Sequence, residues 1–369
     1  MTTTTPTRAT FATRTTTPTR VRRTRSTPRA SRRASTRARA VKEEDGDEDS
    51  DDSKIRVVEA TVVSPDAAAA DDAPTIRVDS RGSGEYERRA RTEPRRFVVA
   101  EGELFNVAAA SAPIALRLTS GLTCDGYKVR LVDGEVAAGT YSLWSGNGKH
   151  VEETSDVAKF PRPSAPLKIY NLHGCPFCKK VREAVISLDL DVLYYPCPRD
   201  GPEYRAFVRA DGGKAQFPYL IDENTEPPTK MYESDAIIEH LYERYGPGKA
   251  NIGPALSSGA LTNLTAGLSL LPRLGKGSAY SPSKKPENMK PLVFWGYEGS
   301  PFCALVAEKL CELELPYLQR SVGRGSPKRQ ELYDKHGMFQ VPFLQDPNTM
   351  IEMFESKDIV DYLQETYAA

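Results

Sequence analysis

The 369-residue sequence predicts a mixed α/β protein: two tandem copies of one small unit, preceded by a small α+β region and a disordered amino-terminal stretch. Three observations predict this. Short motifs recur in the same order at near-constant spacing, strand-like and helix-like periodicities alternate within each copy, and the composition changes sharply near residue 95.

The repeat is read from four coincidences. Leu167-Lys-Ile-Tyr matches Leu292-Val-Phe-Trp as an opening strand, and Gly174-Cys-Pro-Phe-Cys matches Gly299-Ser-Pro-Phe-Cys. Phe217-Pro-Tyr-Leu matches Val341-Pro-Phe-Leu, and Tyr232-Glu-Ser-Asp matches Phe354-Glu-Ser-Lys. After the first motif, Val181, Val185 and Leu188 fall on one helical face, as do Val306, Leu310 and Leu313. Ile237, Ile238, Leu241 and Tyr245 line the closing helix of the first copy; Ile359, Val360, Leu363 and Tyr367 line that of the second. Each copy therefore reads strand–helix–strand–helix–strand–strand–helix, over residues 167–246 and 291–369. A shorter echo, Arg117-Leu118-x-x-Gly121 against Arg273-Leu274-x-x-Gly277, either extends the repeat to a preceding helix or is a chance match.

The remaining segments follow from composition. Residues 1–40 hold eleven arginines, many threonines and no acidic residue, which reads as a transit peptide for a chloroplast, with a mitochondrion as the alternative. A basic arm that binds anions is the plainer reading. Residues 41–94 are acidic and then low in complexity, with too little apolar surface to offset the entropy of ordering. Without the first forty residues the chain has 39 Lys+Arg against 50 Asp+Glu, which argues against a nucleic-acid-binding surface. Residues 95–160 suggest a helix interrupted at Pro113, then a hairpin that pairs the run from Tyr127 with the run from Thr140. Residues 247–290 form a linker with an apolar helix in which Leu261, Leu264, Leu268 and Leu271 recur at helical spacing. Their order predicts a packing face and not a membrane span.

The chemistry concentrates in Cys175-Pro176-Phe177-Cys178. A strand ends at Cys175 and Pro176 opens a helix, so the Cys175 sulfur meets free backbone N–H groups and the positive end of the helix dipole. Cys175 is the expected nucleophile and Cys178, one turn on, the resolving thiol, with Lys179 and Lys180 adding positive charge. Zinc would need a second cysteine pair that this motif lacks, so no metal is expected. Cys124, Cys197 and Cys311 read as structural, with Cys197 near the surface as an accessory thiol.

This pattern resembles a glutaredoxin or the amino-terminal domain of a glutathione transferase, and the resemblance implies two tandem thioredoxin-like domains. It further implies cis bonds at Phe217-Pro218 and Val341-Pro342, with the residue before each proline pairing its backbone to the cysteine of glutathione. Glu233 and Ser234 would hold the γ-glutamyl group; the plainer role of Ser234 is a helix cap. The second-copy counterparts are Ser300, Cys303, Val341, Pro342, Glu355 and Ser356. Ser300 is either a glutathione-binding hydroxyl or part of a copy kept for packing. The arrangement as a whole is similar to plastid proteins of plants and algae that carry two such domains. The first copy also resembles the glutaredoxin-like part of type 2 prostaglandin E synthase. The resemblance implies a glutathione-linked thiol–disulfide oxidoreductase with glutathione as co-substrate and a protein disulfide or small molecule as substrate. The alternatives are a glutathione transferase or isomerase acting on a small electrophile, and a non-catalytic binding module; no all-helical domain follows either copy.

Overall fold

The computed structural model describes residues 95, 98–117 and 120–369, which lie within one compact unit spanning Asp71–Ala369. The transit peptide expected over 1–40 and the acidic segment over 41–94 lie outside the described residues. The first described elements are helix α1 (Leu104–Leu116), which continues through Pro113, and strands β1 (Lys128–Asp133), β2 (Ser145–Gly146) and β3 (Lys149–Thr154). The expected hairpin partner is corrected: β1 pairs with β3, and the run from Thr140 forms no strand. The Lys149–Thr154 run is mostly polar and lacks the aromatic and β-branched enrichment that marks a strand in sequence.

The first copy folds as β4 (Leu167–Asn171), α2 (Pro176–Ser187), β5 (Val192–Pro196), α3 (Tyr204–Gly212), β6 (Tyr219–Asp222), β7 (Thr229–Met231) and α4 (Ser234–Tyr245). The connector carries α5 (Pro254–Ser257) and α6 (Ala260–Leu270). The second copy repeats the plan as β8 (Leu292–Gly296), α7 (Pro301–Glu312), β9 (Tyr317–Ser321), α8 (Lys328–His336), β10 (Phe343–Asp346), β11 (Ile351–Phe354) and α9 (Ser356–Tyr367). In each copy the first two strands are parallel and the last two are antiparallel.

The two four-stranded sheets join into one of eight, ordered β11-β10-β8-β9-β5-β4-β6-β7. The seam is the antiparallel pair β5–β9, in which Leu193 faces Leu318, its own counterpart 125 residues on. Val192 faces Gln319 and Tyr194 faces Tyr317, so the seam has the self-matching register of a two-fold axis. Helices α2, α4, α7 and α9 supply one hydrophobic core shared by both copies, which includes Val181, Val185, Leu188, Val306, Leu310 and Leu313. The opposite sheet face carries two smaller clusters, one around Tyr170 and Val208 and the other around Trp295 and Leu332.

The short echo marks a real correspondence, and the two preceding segments are exchanged. Helix α1 lies on α7 of the second copy, α6 lies on α2 of the first, and α1 and α6 cross each other. Beyond the helices the exchange continues. Cys124 N donates to Arg324 O (2.9 Å) and Arg324 N to Leu122 O (2.8 Å); Tyr280 N donates to Arg199 O (2.9 Å) and Arg199 N to Ser278 O (2.7 Å). Each arginine of the echo returns to its own copy. Arg117 binds Glu183 of α2 through Nε (3.1 Å) and Nη2 (2.6 Å), and Arg273 binds Glu308 of α7 through Nε (2.7 Å) and Nη2 (2.6 Å). Both pairs are buried.

The expected packing face of α6 is corrected. Leu261, Leu264, Leu268 and Leu271 are exposed, and Thr262, Ala266 and Ser269 are the buried residues. Ala266 in α6 and Ala110 in α1 are equivalent, and small side chains let the two helices approach closely where they cross. Among the described residues no helix is long and apolar enough to cross a membrane.

Candidate active site

Cys175 ends the turn from β4 and caps α2 with extended backbone (φ −100°, ψ 127°), with Pro176 opening the helix. The glycine before it is required by a close approach. A Cβ on Gly174 would lie 2.0 Å from Ser278 Oγ, where the exchanged segment crosses the turn. Gly299 meets Leu122 Cα at 3.0 Å in the same way. Both cysteines of the motif are free thiols; Cys175 is half-buried and Cys178 has no exposed surface. A hydrogen bond from Cys178 stabilises the Cys175 thiolate most. Burial opposes it, and the backbone N–H groups of Cys178 and Phe177 together with Arg182 add to it, leaving the Cys175 thiol lowered to about 6. Burial, and then the neighbouring Cys175, push Cys178 well above the ordinary thiol value.

The expectation that Lys179 and Lys180 bathe the thiol in positive charge is corrected. Both are buried and committed elsewhere. Lys179 Nζ lies 2.7 Å from Glu298 and 3.7 Å from Glu183, while Lys180 Nζ binds Asp235 and Asn263. The cation that acts on the thiols is Arg182, one turn beyond Cys178 on the same helix face.

Phe217-Pro218 and Val341-Pro342 are both cis, as is Glu226-Pro227, which the sequence did not suggest. Pro218 is buried, and Phe217 is half-buried beneath the Arg205 guanidinium, 4.9 Å from the ring centroid. Next to it, Gln216 Nε2 donates to Glu233 Oε1 (2.6 Å). Glu233 holds a positive φ of 66°, a costly backbone state for a side chain of this kind, and its carboxylate is exposed. Ser234 follows as the buried first residue of α4.

The second copy repeats the geometry and closes it off. Glu355 has a φ of 68° and accepts from Gln340 Nε2 (2.7 Å), and Ser356 opens α9. Here the chain's own backbone is on the pair: Arg95 N donates to Glu355 Oε1 (2.7 Å), and Gln340 Nε2 donates to Arg95 O (3.1 Å). Ser300 is 4% exposed, and its Oγ accepts from Cys303 N (3.3 Å) as a helix cap. Burial pushes the Cys303 thiol up to about 11. The second copy therefore presents no reactive thiol. A cavity of about 220 Å³ between α1, α7 and α9 includes Ser356, Lys357 and Arg273 in its wall, away from the Cys175 turn.

Cys197, expected near the surface, is fully buried, and burial pushes its thiol well up. The Tyr194-Tyr-Pro-Cys-Pro run continues into a turn packed beneath α3, which no local pattern announces. Cys124 and Cys311 are also buried and raised by burial. Among the described residues no group of three or more His, Cys, Asp or Glu side chains is placed to hold a metal.

No curated protein and no solved structure matches the chain. The family model described as glutathione S-transferase, N-terminal domain, matches twice, over residues 169–250 and 294–369. The two matched segments are the two copies of the fold, so the chain carries the glutathione S-transferase N-terminal domain twice in tandem, each copy a thioredoxin-like α/β domain.

Proposed function

We propose that the chain is a glutathione-linked thiol–disulfide oxidoreductase whose first copy is catalytic. The observation that carries this reading is the pairing of a half-exposed, low-pKa Cys175 with a buried, high-pKa Cys178 at a helix amino terminus. The Cys175 thiolate attacks one sulfur of the substrate disulfide, and that S–S bond breaks to release a thiolate. Cys178, on losing its proton, attacks the Cys175 sulfur of the mixed disulfide, expelling the second substrate thiol and leaving a Cys175–Cys178 disulfide. Two glutathione molecules then reduce this bond and leave as glutathione disulfide. Phe217 beside Pro218 is assigned to backbone pairing with glutathione, and Glu233 and Ser234 to its γ-glutamyl group. A glutaredoxin-like potential of roughly −200 to −230 mV is expected. The composition of residues 1–40, and the likeness to plastid tandem-domain proteins, support a plastid location. The resemblance of the first copy to type 2 prostaglandin E synthase leaves an isomerase reaction as a further substrate class.

The test is the pH dependence of Cys175 alkylation by iodoacetamide. Only the thiolate reacts, so the rate should rise with pH through about 6 and level off before pH 8, against about 8.5 for a free thiol. A midpoint near 8.5, with no Cys175–Cys178 disulfide after oxidation, would remove the redox reading. The second copy favours a packing role for itself over glutathione binding: Ser300 is spent on a cap, and Arg95 is on the Glu355–Gln340 pair.

A further inference from the structure

The helix that carries the reactive thiol is held by a carboxylate from the other copy. Glu298 lies two residues before Ser300, in the turn between β8 and α7, at the position that His173 occupies in the first copy. Its Oε2 accepts from Arg182 Nε (2.8 Å), and its Oε1 accepts from Arg182 Nη2 (3.1 Å) and Lys179 Nζ (2.7 Å). Arg182 Nη2 also donates to His173 O (3.1 Å), the carbonyl two residues before Cys175. Arg182 thus ties the Cys175 turn to its helix, and Glu298 fixes Arg182.

The two copies have diverged in a matched way at these positions. Lys179 and Arg182 correspond to Ala304 and Ala307, so the positive charge exists only beside the first motif and the neutralising carboxylate only beside the second. Solvent does little to screen the cluster: Lys179 and Arg182 are at most 2% exposed, and the void that Arg182 and Glu298 share with Tyr297, Cys303 and Tyr317 is about 10 Å³, at most a single water. The other titratable groups facing it add little net charge. Burial keeps His173 neutral, its pKa lowered to about 3, and burial raises Tyr194 and Tyr317 so that both stay protonated. Glu183, on the same helix as Lys179, is matched by Arg117. Burial opposes ionisation of Glu298, yet Arg182 and Lys179 hold it far below the usual carboxylate range. Arg182 Nη1 has no hydrogen-bond partner among the described residues, so part of its charge is left facing the protein interior.

We infer that Glu298 is a positioning residue for the Cys175 site: the second copy supplies the carboxylate that anchors Arg182 and sets how much positive charge the Cys175 thiolate feels. This rests on the first copy being the thiol site, and it gives the second copy a role that needs no thiol of its own. The altered copy is retained because it completes the electrostatics of the reactive one.

The test measures the Cys175 pKa by alkylation in the full chain for two variants. Glu298→Gln leaves two cations unneutralised and should lower the pKa by about one unit, moving the Cys175–Cys178 couple to a more oxidising potential. The triple variant K179A/R182A/E298A leaves no buried charge unpaired, so it guards against failure of the first to fold. It should raise the pKa by about one unit, toward that of a free thiol. Shifts of opposite sign are the expected signature, since loosening of the helix moves both variants toward the free-thiol value. An unchanged pKa in the triple variant, or shifts in the same direction, overturns the inference. Failure of the oxidoreductase reading is a separate outcome, seen in the unmodified protein as an ordinary Cys175 pKa and no disulfide.

Discussion

Cys175→Ser is expected to abolish glutathione-dependent disulfide reduction, by at least about 10³-fold in kcat/KM, because the step has no other accessible thiolate. Cys303 is buried and raised, and Ser300 has its hydroxyl on a backbone N–H, so nothing in the second copy substitutes. Cys178→Ser should behave differently. The Cys175 thiolate still attacks, but the mixed disulfide is no longer resolved internally, so it should accumulate and be visible by mass spectrometry. Cys178→Ala, which removes the hydrogen-bond donor altogether, should also raise the Cys175 pKa, since the bond from Cys178 is the thiolate's largest stabilising contact. Cys303→Ser should leave turnover unchanged. Full activity in Cys175→Ser would remove the assignment of the nucleophile, and with it the reason for reading the first copy as catalytic.

The second large effect is on stability. Arg117→Met should cost about 3–5 kcal/mol in urea denaturation, the usual consequence of stripping one partner from a buried ion pair. Arg117 binds the Glu183 carboxylate twice, and its Nη atoms also reach Ala255 O (2.8 Å) and Thr262 O (3.3 Å). One side chain thus joins the first arm, the second arm and the first copy. The paired variant R117M/E183L should recover a large part of the loss, because no charge is then left unmatched. A cost below about 1 kcal/mol for the single variant would mean that water reaches the pair and that the exchanged arms depend on other contacts.

Much of this was legible because the duplication supplies its own control. The constant offset between Cys175 and Ser300, or between Val185 and Leu310, locates every strand and helix of both copies from one set of periodicities. What was not legible depends on partners distant in sequence. Helical spacing shows that Leu261, Leu264, Leu268 and Leu271 share a face, but not that the buried side is the opposite one, of Thr262, Ala266 and Ser269. Closeness in sequence suggested Lys179 and Lys180 as the thiol's cations, whereas Glu298 and Asp235 claim them across the fold. Arg182 and Glu298 were missed for the same reason. The available signal was the asymmetry between the copies: charged Lys179 and Arg182 against Ala304 and Ala307, with His173 opposite Glu298.

The β5–β9 seam has a consequence for mass action. Two separate chains meeting through such an edge would part on dilution, and their folded fraction would follow protein concentration. Here the peptide linkage fixes the local concentration of one half around the other, so unfolding should be independent of protein concentration. Covalent linkage also frees the halves from having to be identical. A homodimer placing a carboxylate at position 298 would place it on both sides of the axis, whereas this chain carries the reactive thiol and the Arg182 cation on one side and the carboxylate that neutralises that cation on the other.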